Sequence, residues 1–276
     1  LDLHLLELLN RPTWPQEYEL FTGLVGIGLY GLNRYQRQSG QQIVQGVLHQ
    51  LNQKSTTTAQ GIAWNNPKHS RYFREDFGEN QFDLSTAHGN GSVLAFLTAC
   101  VEQQVELNQA KTMLAAHCQW LVLQQNIKQS GSHFPSMSGM ENRSILGWCY
   151  GDLSLSLTLI RASKVLKDSQ LHDQAIAIAL STLTRTIESE KNTPIALCHG
   201  AFGHALLYHI LYLHTQVEAF ENQSMYWLKY GLLAIETQDL NNIPIGLISG
   251  LSGIALITIA LQVQQKPLWL KLILVD

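Results

Sequence analysis

The stretch HGAFGHALLY, residues 199–208, leads from a turn of small residues directly into an apolar segment of helical character. The first glycines of this stretch and of four others like it lie 66, 62, 49 and 50 residues apart along the chain. A loose period of this kind indicates repeated supersecondary units. The four related stretches are GLVGIGLYGL (23–32), HGNGSVLAFL (88–97), YGDLSLSLTL (150–159) and SGLSGIALIT (249–258).

Segments of a second kind alternate with these stretches and mix an apolar face with Gln, Lys, His or Glu at helical spacing. Each unit thus pairs one very apolar helix with one half-polar helix, which predicts an inner layer wrapped by an outer layer. We expect an all-α chain, folded as a single α/α-toroid domain over residues 1–276, with glycines where helix starts crowd around the axis. The alternative is a solenoid with ordinary helix-start glycines. The half-polar segments are 41–53, 109–125, 173–189 and 224–238.

Composition and charge narrow the class of protein. With 276 residues, 45% of them hydrophobic, the chain can bury a large core. The net charge of −3 and the scattered Lys and Arg residues argue against nucleic acid and acidic membranes as partners.

Residues 246–263 carry no charge and reach the lower limit of a membrane span. Their small residues and the pattern shared with the other units favour a buried helix of a protein that is not integral to a membrane.

Polar segments between the helices predict loops, and the four cysteines indicate the redox state of the protein. Residues 52–61 and 126–139 are polar and rich in breakers, so we expect loops there. The mixed span 62–82 predicts an ordered loop or a short β-hairpin over the mouth of the toroid. The four cysteines form no disulfide framework and no signal-like segment precedes them, which indicates a reduced, cytoplasmic protein. Cys100 and Cys118 lie within apolar helical segments and are expected in the core.

The helix starts of a toroid gather at one end of its cavity, which brings their polar residues together. Cys149, Cys198 and His199 lie at two of these starts. Thiolate and imidazole are preferred zinc ligands, and three protein ligands with one open position form a catalytic zinc site. The alternative is that both cysteines are buried and structural. His88 precedes Gly89 and is either a proton carrier or a helix cap, whereas His204 is expected in packing and His69 and His133 have no assigned role.

With these motifs the chain resembles the lanthionine synthetase C-like family, which includes the lantibiotic cyclases. The resemblance extends over essentially the whole chain. The motifs that carry it are GWCYG (147–151), LCHG (197–200), AHGNG (87–91), GLVGIG (23–28) and GLSGI (250–254).

The resemblance implies an α/α toroid in which Cys149, Cys198 and His199 hold zinc. It also implies an enzyme, a lanthionine synthetase that adds peptide cysteine thiolates to dehydroalanine or dehydrobutyrine and closes thioether rings. His88 would then give or relay the proton, with Tyr150 beside the metal. The implied partners are a dehydrated precursor peptide, a dehydratase and an exporter in a modification complex.

The chain departs from the family pattern at two positions and in its length. Glu19, four residues before Gly23, stands where family cyclases have an aspartate, and the resemblance makes it a candidate catalytic residue beside His88 and Tyr150. Ile145 stands where they have an arginine, and Arg143 is the candidate replacement. Five units are visible, fewer than the family toroid has. We therefore expect either a missing N-terminal portion or an incomplete toroid.

Two other functions stay open. One is a zinc-containing protein of the same fold that binds glutathione or a regulatory peptide without closing rings. The other is an α/α-toroid carbohydrate enzyme, which needs paired carboxylates in its cavity. The helix starts offer only Glu19 and Asp152 for that purpose, so this reading is the least favoured.

Overall fold

A computed structural model of the chain describes residues 1–66, 81–126, 131–190, 193–263 and 266–276. A short antiparallel hairpin, β1 (Thr56–Thr58) and β2 (Gly61–Ala63), pairs Thr57 with Ile62. The rest of the regular structure is helical: α1 (Asp2–Leu9), α2 (Leu24–Leu32), α3 (Gln38–Lys54), α4 (Asn90–Glu102), α5 (Leu107–Val122), α6 (Asp152–Leu166), α7 (Ser169–Ser181), α8 (Ala201–Thr215), α9 (Glu218–Glu236) and α10 (Leu251–Val263).

The five apolar stretches form an inner layer of helices. Each of α2, α4, α6 and α8 packs on the helix that follows it, and successive inner helices contact one another from α2 through to α10. Residues 90–101, 152–163 and 201–211 are buried without interruption, because inner helices have neighbours on every side. The predicted α/α toroid is therefore confirmed.

The outer helices bury only one face, as their half-polar sequences predict. In α3 the buried apolar residues recur at helical spacing, from Ile43 and Val44 to Val47, Leu48 and Leu51. The remaining face of α3 carries Gln and His side chains to solvent. The difference between the two kinds of helix thus follows from the apolar periodicity of the sequence.

The glycines at the helix starts allow close packing against the preceding turn, whereas the sequence predicts crowding between helix starts around the axis. A Cβ at Gly203 would lie 1.8 Å from the Leu197 carbonyl oxygen, and a Cβ at Gly253 would lie 1.9 Å from that of Leu247. In both cases the obstacle is the backbone six residues earlier, within the same unit. The glycines therefore let each inner helix pack on its own preceding turn, and crowding between neighbouring helix starts is not the reason at these two positions.

Helix α10 differs from the other inner helices, because one of its faces is exposed. It packs on α8 and buries Ile254 and Ile257, whereas Ile259 and Val263 are about half exposed. The prediction of a buried helix at 246–263 is thus correct for one face of α10 only. No helix among the described residues is both long enough and apolar enough to cross a membrane.

Two predicted boundaries need correction, and a third prediction is tested only in part. The helix expected over 173–189 ends at Ser181, because Arg185 turns inward to the Ser144 carbonyl and to Glu190. The loop expected over 52–61 instead contains the end of α3 and most of the hairpin. Of the span 62–82, residues 67–80, including His69, lie outside the described residues, so the element expected over the cavity mouth is not tested there.

Candidate metal centre

Backbone hydrogen bonds tie the turns before the inner helices into a continuous set. The Thr86 amide donates to the Cys149 carbonyl at 2.9 Å, and the Trp148 amide donates to the Cys198 carbonyl at 2.7 Å. The Cys198 amide in turn donates to the Ile248 carbonyl at 3.1 Å. Neighbouring turns therefore hold fixed positions at one end of the toroid, and the side chains they carry converge there.

The turn before α6 leads into the helix within three residues of Cys149, so this cysteine lies close to the helix start. Gly151 has a φ of 96° and begins α6 directly after Cys149 and Tyr150. A side chain at this position would be strained by the left-handed backbone and would also lie 2.1 Å from the Ile145 carbonyl oxygen. Only glycine allows the turn that carries Cys149 to pack this tightly against α6.

The structure brings Cys149, Cys198 and His199 together, as the sequence predicts. Their ligand atoms all lie within 4.8 Å of one another, and the Cys149 sulfur is 3.9 Å from His199 Nδ1. Tetrahedral zinc with bonds of about 2.0–2.3 Å separates its ligand atoms by roughly 3.5–4 Å. The three residues thus fit zinc in donor type and in spacing. Cys149 is buried, Cys198 is half-buried and His199 is exposed, so the cluster opens toward solvent on one side.

The two thiols of this cluster are electrostatically unequal. A hydrogen bond from Cys149 lowers the pKa of Cys198 to about 5, with further help from His199. The same hydrogen bond, together with burial, raises the pKa of Cys149. The pKa of His199 is raised, chiefly by its hydrogen bond with Cys198. The hydrogen bonds of the cluster thus favour the thiolate form of Cys198, and a divalent cation would favour ionisation of the second thiol as well.

Glu19 and His88 form an acid–imidazole pair at the same end of the toroid. His88 Nδ1 lies 3.1 Å from Glu19 Oε2. The Glu19 carboxylate also accepts hydrogen bonds from the Phe21 amide at 2.8 Å and the Thr22 amide at 2.7 Å. Burial pushes the pKa of Glu19 up, but the hydrogen bonds from His88, Thr22 and Phe21 outweigh it, so the pKa is lowered overall. Glu19 therefore holds its own turn together and orients His88.

Tyr150 has a partner that sequence reasoning missed. Its hydroxyl donates to Asp83 Oδ2 at 2.9 Å, and the Ser85 amide donates to Asp83 Oδ1 at 2.7 Å. Asp83 is buried, and burial raises its pKa. The only signal in the sequence is an acidic residue five positions before His88 in the stretch DLSTAHG. No known motif selects it, so its role follows from the fold alone.

The aromatic ring of Phe21 packs against His88. Its ring centroid lies 5.1 Å from that of His88 and 5.9 Å from that of Trp148, which it meets edge-on. Trp148 directly precedes Cys149, so these ring contacts connect the turn of Glu19 with the turn that carries the first candidate ligand. The predicted proton carrier and the predicted metal ligands thus belong to one packed site.

Arg143 does not point at this cluster. Its guanidinium forms an ion pair with Glu190, which also receives two hydrogen bonds from Arg185. Ile145 is 44% exposed and offers no hydrogen-bonding group from its side chain. The position where the resemblance leads us to expect an arginine is therefore apolar, and Arg143 is held by another partner.

Cys100, Cys118, His133 and His204 all have surroundings in the structure that are separate from the candidate ligands. Cys100 and Cys118 are buried within helices, and burial raises the pKa of Cys118 to about 12. His133 Nδ1 lies 3.1 Å from Gln125 Oε1, and its amide donates to Asp152. His204, predicted to serve in packing, is indeed buried, and its Nε2 also contacts the Leu146 carbonyl.

Comparison with known proteins gives the chain a family. The family model described as lanthionine synthetase C-like protein matches residues 1–274. Among solved structures, nisin cyclase superposes with a TM-score of 0.77 at 17% sequence identity, over 99% of this chain and 70% of the cyclase chain. That likeness shows the fold. No curated protein sequence matches the chain. The motifs, the toroid and the match over nearly the whole sequence show that the chain belongs to the lanthionine synthetase C-like family.

Proposed function

We propose that this protein is a zinc-dependent cyclase that adds cysteine thiolates of a peptide to dehydroalanine or dehydrobutyrine residues. The products are lanthionine and methyllanthionine thioether rings in a lanthipeptide precursor. Membership of the lanthionine synthetase C-like family and the cyclase-like fold support a role of this kind. The observation that carries the specific reaction is the cluster of Cys149, Cys198 and His199 at the open end of the toroid.

These three residues would hold the zinc. When bound there, zinc supplies a lowered thiol pKa, so that a cysteine of the substrate is deprotonated at neutral pH yet still nucleophilic. Three protein ligands leave one coordination position for that cysteine. The exposed side of the cluster at His199 gives a peptide access to it.

His88 would supply the proton that completes the addition. The thiolate forms a carbon–sulfur bond at the β-carbon of the dehydroamino acid, and the electron pair of the double bond moves onto the carbonyl as an enolate. The α-carbon then takes a proton, so the net change is addition of S–H across the double bond. Glu19 accepts from His88 Nδ1, which assigns the proton exchange to Nε2.

Tyr150 has a different part in this proposal. Its hydroxyl hydrogen is directed to Asp83, so toward any other group the oxygen acts as a hydrogen-bond acceptor. Such an oxygen can receive an amide N–H of a bound peptide. Tyr150 is therefore assigned to orient the substrate, and the proton transfer is assigned to His88.

The partners follow from the substrate. A peptide with dehydroalanine or dehydrobutyrine must come from an enzyme that removes water from serine and threonine, so we expect a dehydratase to act first. An exporter that receives the modified peptide would act afterwards. The reduced thiols of the candidate site suit the cytoplasm, where such a complex would operate.

The test is incubation of the zinc-loaded protein with a dehydrated, cysteine-containing precursor peptide. Ring closure leaves the peptide mass unchanged and removes one alkylatable thiol for each ring. We expect the thiols to become unreactive toward iodoacetamide in the presence of the protein. Thiols that stay fully alkylatable, while the protein holds one zinc, would overturn the proposed reaction.

One observation favours a second candidate function. Ile145 stands where the resemblance leads us to expect an arginine, and the guanidinium of Arg143 is paired with Glu190. Without a guanidinium at position 145, stabilisation of an enolate is weaker. The second candidate is thus a zinc-containing protein that binds glutathione or a peptide thiol without closing rings. Zinc-dependent binding of glutathione, with no loss of thiols in the cyclisation assay, would support it.

A further inference from the structure

His204 contacts the turn that carries Cys149, although it lies on the helix that follows the other two candidate ligands. It is 1% exposed, and its Nε2 lies 2.5 Å from the Leu146 carbonyl oxygen. A carbonyl only accepts hydrogen bonds, so Nε2 carries the proton. Burial lowers the pKa of His204 to about 4, which keeps the ring neutral in this arrangement.

The turn of residues 146–149 has little freedom next to the start of α8. The Trp148 amide donates to the Cys198 carbonyl, and a Cβ at Gly147 would lie 3.0 Å from that same oxygen. His204 holds the other end of the turn through Leu146, which is itself buried. The start of α8 therefore fixes this turn at two points, and Cys149 lies at the end of it.

We propose that His204 is a positioning residue for the metal centre. Its hydrogen bond to the Leu146 carbonyl sets the position of the Cys149 sulfur relative to Cys198 and His199. Without that bond the buried carbonyl loses its partner and the turn shifts, so the three ligand atoms no longer converge. This inference rests on the zinc site of the proposed function.

The same helix offers a matched control. His209 lies five residues further along α8 and is also buried. Within the part of the chain that the structure describes, its Nε2 has no hydrogen-bond partner. His209→Asn therefore changes a second buried histidine of the same helix without removing a bond to the turn of Cys149.

The experiment compares glutamine and asparagine at position 204. The side-chain amide nitrogen of glutamine takes the place of Nε2, whereas that of the shorter asparagine takes the place of Nδ1. Zinc affinity is measured by competition with a chelator, together with thermal unfolding of the zinc-free proteins. We expect His204→Gln to bind zinc within about threefold of the wild type and His204→Asn to bind it roughly 10–100-fold more weakly. His209→Asn should stay within about threefold.

Two results would overturn the positioning role. One is equal zinc affinity of His204→Gln and His204→Asn. The other is an equal loss of affinity in His204→Asn and His209→Asn, which would indicate general damage to the core. A wild-type protein that binds no zinc would overturn the metal centre and this inference together. A zinc-binding wild type that closes no rings would overturn the proposed reaction only, and the expected order of affinities among the variants would still support His204.

Discussion

Two pairs of helix starts meet at the open end of the toroid, and they carry different chemistry on similar backbone. In the first pair the turns before α6 and α8 supply Cys149, Cys198 and His199. In the second pair the turns before α2 and α4 supply Glu19 and His88. The backbone enters α4 and α8 alike: the Asn90 amide donates to the Asp83 carbonyl at 2.7 Å, and the Ala201 amide donates to the Pro194 carbonyl at 2.8 Å. The start of α6 differs, because Gly151 has a φ of 96°.

The difference between the pairs lies in the side chains and in what holds them. Main-chain hydrogen bonds between neighbouring turns hold the two cysteines in position. Their sulfur atoms are therefore available to contact each other and to bind a cation. Glu19 is oriented by the amides of its own turn and directs its other contact to His88. One repeated unit can thus carry metal ligands or a proton carrier, and the comparison predicts that the two tasks can be lost separately.

The largest effect is expected from removal of a candidate ligand. Cys198→Ala should leave the protein with much less than one zinc per chain, because one of three protein ligands is lost. The cyclisation rate should fall by at least about a thousandfold, because the substrate thiol is no longer activated by zinc. Metal analysis and the thiol alkylation assay measure the two losses. The matched control is Cys118→Ala, a buried core cysteine, which should retain zinc. A Cys198→Ala protein that keeps a full complement of zinc would refute the ligand assignment.

Removal of the proton carrier should affect the rate alone. We expect His88→Ala to slow cyclisation by about 10²–10⁴-fold, the usual contribution of a general acid. The rate is followed with a dehydrated peptide under single-turnover conditions. His133→Ala is the control, since His133 contacts Gln125 and should be nearly silent. An unchanged rate in His88→Ala would remove this residue from the mechanism.

The close packing of an inner helix on its own preceding turn can be tested at a helix-start glycine. Gly203→Ala places a methyl group 1.8 Å from the Leu197 carbonyl oxygen, so α8 and the turn of Cys198 must separate. We expect the free energy of unfolding to fall by about 1–3 kcal/mol, measured by urea denaturation. Gly246→Ala is the control, because among the described residues no atom beyond its chain neighbours lies within 4 Å of its added Cβ. Equal stability of the two variants would show that the close approach is unimportant.

A smaller effect is expected from Glu19→Gln, and it should depend on pH. The pKa of Glu19 is lowered in the folded protein because hydrogen bonds outweigh burial. Its charge therefore stabilises the fold above the unfolded pKa of about 4.3, and this contribution disappears as the pH falls through the lower folded value.

We accordingly expect Glu19→Gln to lose about 1–2 kcal/mol of unfolding free energy at pH 7 and progressively less below pH of about 4. Urea denaturation at several pH values measures the difference. Glu7→Gln, on the exposed face of α1, should differ little from the wild type throughout. A difference for Glu19→Gln that grows at acid pH would contradict the assignment.

The inner and outer layers could be predicted from the sequence, because apolar periodicity reports directly on burial. Helices α3, α5 and α9 lie close to the segments expected from it. Helix α1 was not predicted, since its short segment DLHLLELL has no glycine turn and lies outside the repeat. The end of α7 was misplaced because Arg185 is turned inward by Glu190 and Ser144, and such tertiary contacts leave no local signal.

For the candidate site, short motifs sufficed to bring Cys149, Cys198 and His199 into one cluster. The hydrogen-bond partners that hold the turns of this site could not be predicted from the sequence. Asp83 holds Tyr150 from 67 positions away, and His204 holds Leu146 from 58 positions away. Hydrogen bonds between distant turns depend on how the helices pack, which the spacing of residues within one turn does not specify.

The division of labour between the two pairs of helix starts is tested most directly by the zinc content of purified His88→Ala, with Cys198→Ala measured beside it. If the two tasks are separate, His88→Ala holds one zinc per chain, as the wild type does, and Cys198→Ala holds far less. Loss of zinc from His88→Ala to the level of Cys198→Ala would contradict the separation and would make His88 part of the metal centre.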